Sequence, residues 1–138
     1  MKKYPFKTFV AKRWSDLDEF GVVNNAIFMT YFEQARVNLF AEFVGWNWKS
    51  VGVVVANVNM NFKTPIRMAD NPSIYIRCTK IGSTSYTLDC LMSEERNGKE
   101  IIFAEASFVM VCFDFKTGIP VAIPEIVKPY LERLVMND

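Results

Sequence analysis

No histidine occurs anywhere in the 138 residues. Imidazole is the side chain that changes charge near neutral pH and a common metal ligand. Its absence removes Ser-His-Asp and Cys-His nucleophile schemes, histidine-based dehydration and ordinary histidine-ligated metal sites together. Cysteine is scarce: Cys78, Cys90 and Cys112 are odd in number, lie inside expected strands and lack the close spacing of a metal knuckle or redox pair. They read as buried reduced thiols. Charge of either sign is balanced, 16 Lys and Arg against 15 Asp and Glu, and scattered, which gives no electrostatic reason to expect nucleic acid as partner. No apolar run approaches membrane-spanning length, and Met1-Lys2-Lys3-Tyr4-Pro5 leads straight into a strand pattern without a signal-peptide h-region. No membrane partner and a cytoplasmic location are therefore expected. With no repeat, low-complexity tract or linker, residues 1–138 read as one domain.

What the chain does have is patterned apolar sequence. Phe6 to Arg13 reads as a first strand, with Phe6, Thr8 and Val10 alternating against Lys7, Phe9 and Ala11. Trp14 to Asn24 is a loop. Asn25 to Phe43 is the longest helical pattern, with Phe28, Tyr31, Phe32, Ala35, Leu39 and Phe43 at helical spacing and Gly45 as its stop. Met29, Val37, Phe40 and Val44 add apolar surface around that helix, so it is expected to be covered on most sides. Ala56, Val58, Met60 and Phe62 alternate with Asn57, Asn59, Asn61 and Lys63, a period of two that predicts one buried and one polar face. Further strands are expected over Ser73 to Ile81, Ser83 to Ser93 and Glu100 to Phe113, the last two joined by a hairpin at Asn97-Gly98. A short helix from Pro124 to Leu134, kinked or delayed by Pro129, closes the chain. One long apolar helix followed by antiparallel strands is an α+β arrangement, economically built by curling the sheet around the helix.

The junction between the first loop and that helix carries the chemistry. Asp16, Asp18, Asn24 and Asn25 sit directly before an apolar helix, whose first N–H groups lack partners and carry the positive end of the helix dipole. An oxygen developing negative charge is stabilised there. Asn24 or Asn25 is a good N-cap. Gly21, without a Cβ, lets the loop turn tightly and a ligand approach the backbone. Asp18 beside those donors makes a minimal acyl-transfer site. The plainer reading is that Asx-rich loops before helices serve as turns and caps.

The stretch Asp16-Leu17-Asp18-Glu19-Phe20-Gly21-Val22-Val23-Asn24-Asn25-Ala26, continued by Tyr31-Phe32-Glu33-Gln34-Ala35-Arg36, resembles the D-x-D-x-x-G-[HV]-V-N-N motif and following helix of the 4-hydroxybenzoyl-CoA thioesterase family in the hotdog-fold superfamily. Asn61-Phe62-Lys63-Thr64-Pro65-Ile66-Arg67, Ile81 to Ser85 and Asp114 to Pro120 follow in the family's order, so the likeness covers nearly the whole chain. It implies a hotdog fold: one long central helix wrapped by a curved antiparallel sheet of about five strands, with a short C-terminal helix. It also implies a thioester hydrolase acting on an acyl-coenzyme A without any cofactor, as a homodimer or dimer of dimers whose sheets join edge to edge.

Under that resemblance Asp18 matches the catalytic carboxylate, attacking the thioester carbonyl or activating water as general base. The backbone N–H of Asn25 matches the carbonyl-polarising donor, and Gly21, Val22, Val23 and Asn24 form the substrate-binding loop. Asp16 shapes the loop. Val22 stands where many relatives carry His and bears on substrate preference. Gly82, Ser83 and Thr84 supply none of the basic residues that some relatives use for coenzyme A phosphates, which leaves Lys63, Arg67 or Lys80 for that task. Glu33 is a rival carboxylate, its plainer role being an ion pair with Arg36 at i+3. An acyl-carrier-protein thioesterase and a non-catalytic acyl-thioester-binding domain are the alternatives.

Overall fold

The computed structural model describes residues 4–41 and 51–135. Strand β1 (Phe6–Phe9) leads through a 3-10 turn at Trp14–Asp16 into helix α1 (Asn25–Phe40), followed by β2 (Gly52–Phe62), β3 (Ser73–Ile81), β4 (Ser85–Arg96), β5 (Lys99–Asp114), the two-residue β6 (Ile119–Pro120) and helix α2 (Lys128–Arg133). The strands form one antiparallel sheet in the order β1-β3-β4-β5-β2, with β6 added against β5. This is the hotdog architecture.

α1 packs its Phe28, Phe32, Ala35 and Leu39 into a core with Ile74, Ile76, Leu88 and Phe108 of the sheet. The rings of Phe32 and Phe108 lie 5.6 Å apart and those of Phe40 and Tyr86 6.0 Å apart. Truncating Phe32, which is wholly buried, would leave a cavity costing roughly 3–5 kcal/mol. The hairpin between β4 and β5 turns at Asn97 and Gly98, both at positive φ (54° and 77°), which is the conformation a two-residue Asn-Gly turn demands. Pro129 falls in the first turn of α2, where a missing N–H does no harm. The helix therefore starts at Lys128 rather than Pro124, with Val127, Leu131 and Leu134 buried and Ile126 exposed. Cys78, Cys90 and Cys112 are free and buried. No helix among the described residues is long and apolar enough to cross a membrane.

Three expectations need correcting. The first strand stops at Phe9: the Val10 N–H still reaches the Pro72 carbonyl, but Pro72 has no N–H to return, and the chain turns away toward the 3-10 turn. The helix is not covered on most sides: Met29 and Val37 are exposed, since a single sheet can cover only one side of a cylinder. Its expected end at Phe43 and Gly45 falls outside the described residues. The apolar face of β2 is also open. Val58, Met60 and Phe62 do lie on the inner side, opposite Phe108, Ala106 and Ala104, after a register shift between Val55 and Asn57. Yet among the described residues β2 is the last strand of the sheet with no neighbour beyond it, and Phe62 stays 49% exposed.

Candidate active site

The loop before α1 is held by its first aspartate. Asp16 is buried and accepts hydrogen bonds from the Arg13 N–H at 2.9 Å, Arg13 Nε at 3.1 Å and the Tyr31 hydroxyl at 2.6 Å. Burial alone would raise its pKa, but the Tyr31 and Arg13 donors outweigh that and hold the carboxyl below the usual range. Tyr31 responds in the opposite sense, since burial and the carboxylate both resist loss of its proton. The Asp16 carbonyl receives the Asn24 N–H at 3.0 Å, so the same residue fixes where the helix begins. Sequence reasoning assigned Asp16 to shaping the loop but missed Tyr31, taken there as ordinary core. The signal was a tyrosine where phenylalanine would fill the core as well, because a buried hydroxyl needs a partner.

Asn24 is the N-cap, its Oδ1 accepting the Ala26 N–H at 2.9 Å, which makes Asn25 the first helical residue. The Asn25 N–H has no hydrogen-bond partner among the described residues. Asp18 is half-buried. Its Oδ1 accepts the N–H groups of Phe20 at 2.8 Å and Val22 at 3.3 Å, an Asx turn that leaves Oδ2 without a partner among the described residues. Gly21 takes φ +78°, with open space where a Cβ would stand, so it is needed for the turn's conformation rather than for close packing. The loop is then pinned to the segment after β2: the Val23 N–H reaches the Ile66 carbonyl at 2.8 Å, and Val22 pairs with Arg67.

That pinning creates a cavity of about 270 Å³ between the loop, the start of α1 and the end of β2. It is lined by Val22, Val23, Asn25, Phe28, Phe62 and Lys63, together with Thr64 and Pro65. Of the residues singled out from sequence, Val22, Val23, Asn25 and Lys63 meet there. Asp18, Gly21 and Asn24 do not line it, and the exposed Lys80 and Arg67 are not part of it either. Glu33 is exposed and lines a different cavity with Arg36. The two make no ion pair: Arg36 is buried, its guanidinium lying 4.3 Å from the centroid of the Phe108 ring. The exposed Asn25, with its unpartnered helix-terminal N–H, thus lines a cavity of mixed apolar and polar walls, while the half-free Asp18 carboxylate lies in the same loop without lining that cavity. A helix-terminal N–H can polarise a carbonyl, and a carboxylate with a free oxygen can act as base or nucleophile.

A family model for the thioesterase-like superfamily matches residues 12–131. The chain belongs to that superfamily. This thioesterase-like chain is 26% identical over 132 residues to the long-chain acyl-CoA thioesterase FadM of Escherichia coli, covering 94% of this chain and 98% of that one. It is 27% identical over 128 residues to the chloroplastic acyl-acyl carrier protein thioesterase ATL3 of Arabidopsis thaliana, covering 89% of this chain and 65% of the relative. Among solved structures, a thioesterase from Thermus thermophilus complexed with coenzyme A and Zn superposes with a TM-score of 0.80 at 30% identity, over 97% of each chain. The protein is a thioester hydrolase with the hotdog fold.

Proposed function

We propose that this thioesterase hydrolyses an acyl-coenzyme A, with Asp18 as nucleophile or general base and the Asn25 N–H polarising the thioester carbonyl. The observation that carries the reading is the Asn25 N–H: a helix-terminal donor without a partner among the described residues, on a residue that lines a cavity with Val22, Val23, Phe28 and Phe62. In the general-base form, Asp18 takes a proton from water as the water oxygen bonds to the acyl carbon. The negative charge gathers on the carbonyl oxygen, where the Asn25 N–H and the helix dipole oppose it. The C–S bond then breaks with its electron pair on sulfur, and the proton held by Asp18 neutralises the thiolate. Gly21, Val22, Val23 and Asn24 form the binding loop, and no cofactor takes part.

The working unit is a homodimer or a dimer of dimers. Its support is β2, an 11-residue strand paired with β5 on one side, whose other edge has no partner strand among the described residues and which carries exposed Val55 and Val58. A bare edge of that length is a template for another strand. Pairing with the same edge of a second copy would also close the open side of both Asn25 cavities. The expected location is the cytoplasm.

Release of free thiol from a panel of acyl-CoAs tests the reading: wild type should turn over and Asp18→Asn should lose most of the rate. Equal rates in the two would remove Asp18 from the chemistry. The likeness to ATL3 favours a second reading, an acyl-carrier-protein thioesterase. Free coenzyme A separates the two, because it inhibits only an enzyme that recognises the nucleotide.

A further inference from the structure

A second cavity of about 550 Å³ lies farther along α1, lined by Glu33, Arg36, Val37 and Phe40 of the helix, Val53 to Val55 of β2, and Met110 of β5. Its lining is apolar apart from Glu33 and Arg36. Arg36 is 6% exposed and forms no hydrogen bond or ion pair among the described residues. Its Nη1 is fully buried without a partner among the described residues, and the group lies over the face of Phe108. Close by, the Tyr86 hydroxyl is also buried without a partner, its ring packed against Phe40. Burial lowers the proton affinity of the guanidinium, the neighbouring charge of Glu33 acting the other way. Buried guanidinium groups are ordinarily held by carboxylates or carbonyls, so this one lacks its acceptor.

Asn25, Met29 and Arg36 fall on one stripe of the helix, at the i, i+4 and i+11 spacing. The near end of the stripe borders the Asn25 cavity and the far end borders the Arg36 cavity, with the inner face of β2 alongside both. Eleven residues of helical rise separate the ends, about 16 Å, close to the reach of a twelve-carbon chain.

We propose that Arg36 receives a carboxylate at the far end of the substrate's acyl chain, so that the preferred thioesters are those of dicarboxylic acids joined to coenzyme A through one end. This rests on the acyl-thioester reading above. The guanidinium fork matches a carboxylate with two parallel hydrogen bonds, and the apolar walls hold the methylene chain. Glu33 sits exposed at the rim, where water screens it.

The test compares dodecanoyl-CoA with the mono-CoA thioester of dodecanedioic acid, on wild type, Arg36→Met and Arg36→Lys. Wild type should favour the dicarboxylate by about tenfold or more in kcat/KM, the scale of a charge-assisted pair. Arg36→Met should lose the preference while its rate on dodecanoyl-CoA changes little, and Arg36→Lys should keep part of it. Equal wild-type rates on the two substrates, or a loss in Arg36→Met that is the same for both, overturn the proposal. So does an Arg36→Met protein that elutes as a smaller species than wild type, since Arg36 would then be a subunit contact. A binding arm is independent of turnover: dodecanoate should raise the melting temperature of wild type more than that of Arg36→Met, while dodecan-1-ol should treat them alike. If neither thioester is hydrolysed, the activity reading fails and this arm alone decides the role of Arg36. Should Arg36→Met not fold, Arg36→Gln is read in the same way.

Discussion

The two flanks of α1 are built differently. On the flank toward β1, polar groups have found partners: the Tyr31 hydroxyl donates to Asp16, the Gln34 side-chain amide to Asn38 Oδ1, and Asn38 Nδ2 to the Thr8 hydroxyl. On the flank toward β2, the Asn25 N–H and Arg36 Nη1 lack partners among the described residues, and the strand beside them is the last of the sheet those residues form. A folded chain leaves few buried polar groups unanswered, and Arg36 is one of them, whereas the Asn25 N–H belongs to an exposed residue. The satisfied flank holds the molecule together; the other is the one on which the proposed substrate contacts fall.

The sharpest way to break that contrast is to delete the donor itself. Asn25→Pro removes the N–H but suits the first helical position, and Asn24 already has the extended φ of −61° and ψ of 135° that a following proline requires. Thioester hydrolysis should fall by about 10²–10³ with little change in melting temperature, whereas Asn25→Ala should keep most of the rate. A Pro variant as active as wild type would show that the main-chain donor is idle. Next comes the edge. Val58→Lys on β2 should leave the fold intact by circular dichroism but shift the protein to a smaller species on size exclusion, with activity falling in parallel.

On the satisfied flank the expected losses are of stability. Tyr31→Phe leaves a buried carboxylate short of one donor and should cost about 1–3 kcal/mol in urea unfolding at neutral pH. The same cluster sets a pH dependence. Asp16 has a folded pKa below its unfolded value, so its contribution is complete above about pH 4 and is lost as pH falls through the lower folded value. The unfolded chain binds more protons in that window, and stability rises with pH across it. Asp16→Asn should be less stable at pH 7 and show a flatter curve between about pH 2 and 5. An unchanged acid limb would mean that other carboxylates govern acid unfolding. Smallest of all, Asn38→Ala removes a half-buried bond to Thr8 and an exposed one from Gln34, and should cost at most about 1 kcal/mol.

Much of this could be read from residue order. Periodicity located α1 and every long strand, and Asn97-Gly98 marked the hairpin, because these signals are local. What periodicity could not supply was which strand ends the sheet. The alternation in β2 does point Val58, Met60 and Phe62 inward, but a face is buried only if something lies across it, and that depends on strand order. The same limit applied to charge. Spacing alone paired Glu33 with Arg36, whereas Arg36 lies one turn from both Phe32 and Phe40, on the side that meets the sheet, and turns over Phe108. At the site, the sequence offered Asn24 or Asn25 as cap, and the fold chooses Asn24, with Asn25 the first helical residue. The Tyr31 bond to Asp16 spans 15 residues and needed the fold to be seen.

The order of strands also bears on how the chain comes to be folded. β4 and β5 are neighbours in sequence joined by a two-residue turn, so they can zip early from local contacts. β2 precedes them by some distance along the chain, and Phe62 must wait for Ala104 before it has anything to align with. The strand that walls both cavities is therefore among the last pieces to settle, and during refolding, recovery of hydrolysis should lag behind recovery of strand signal.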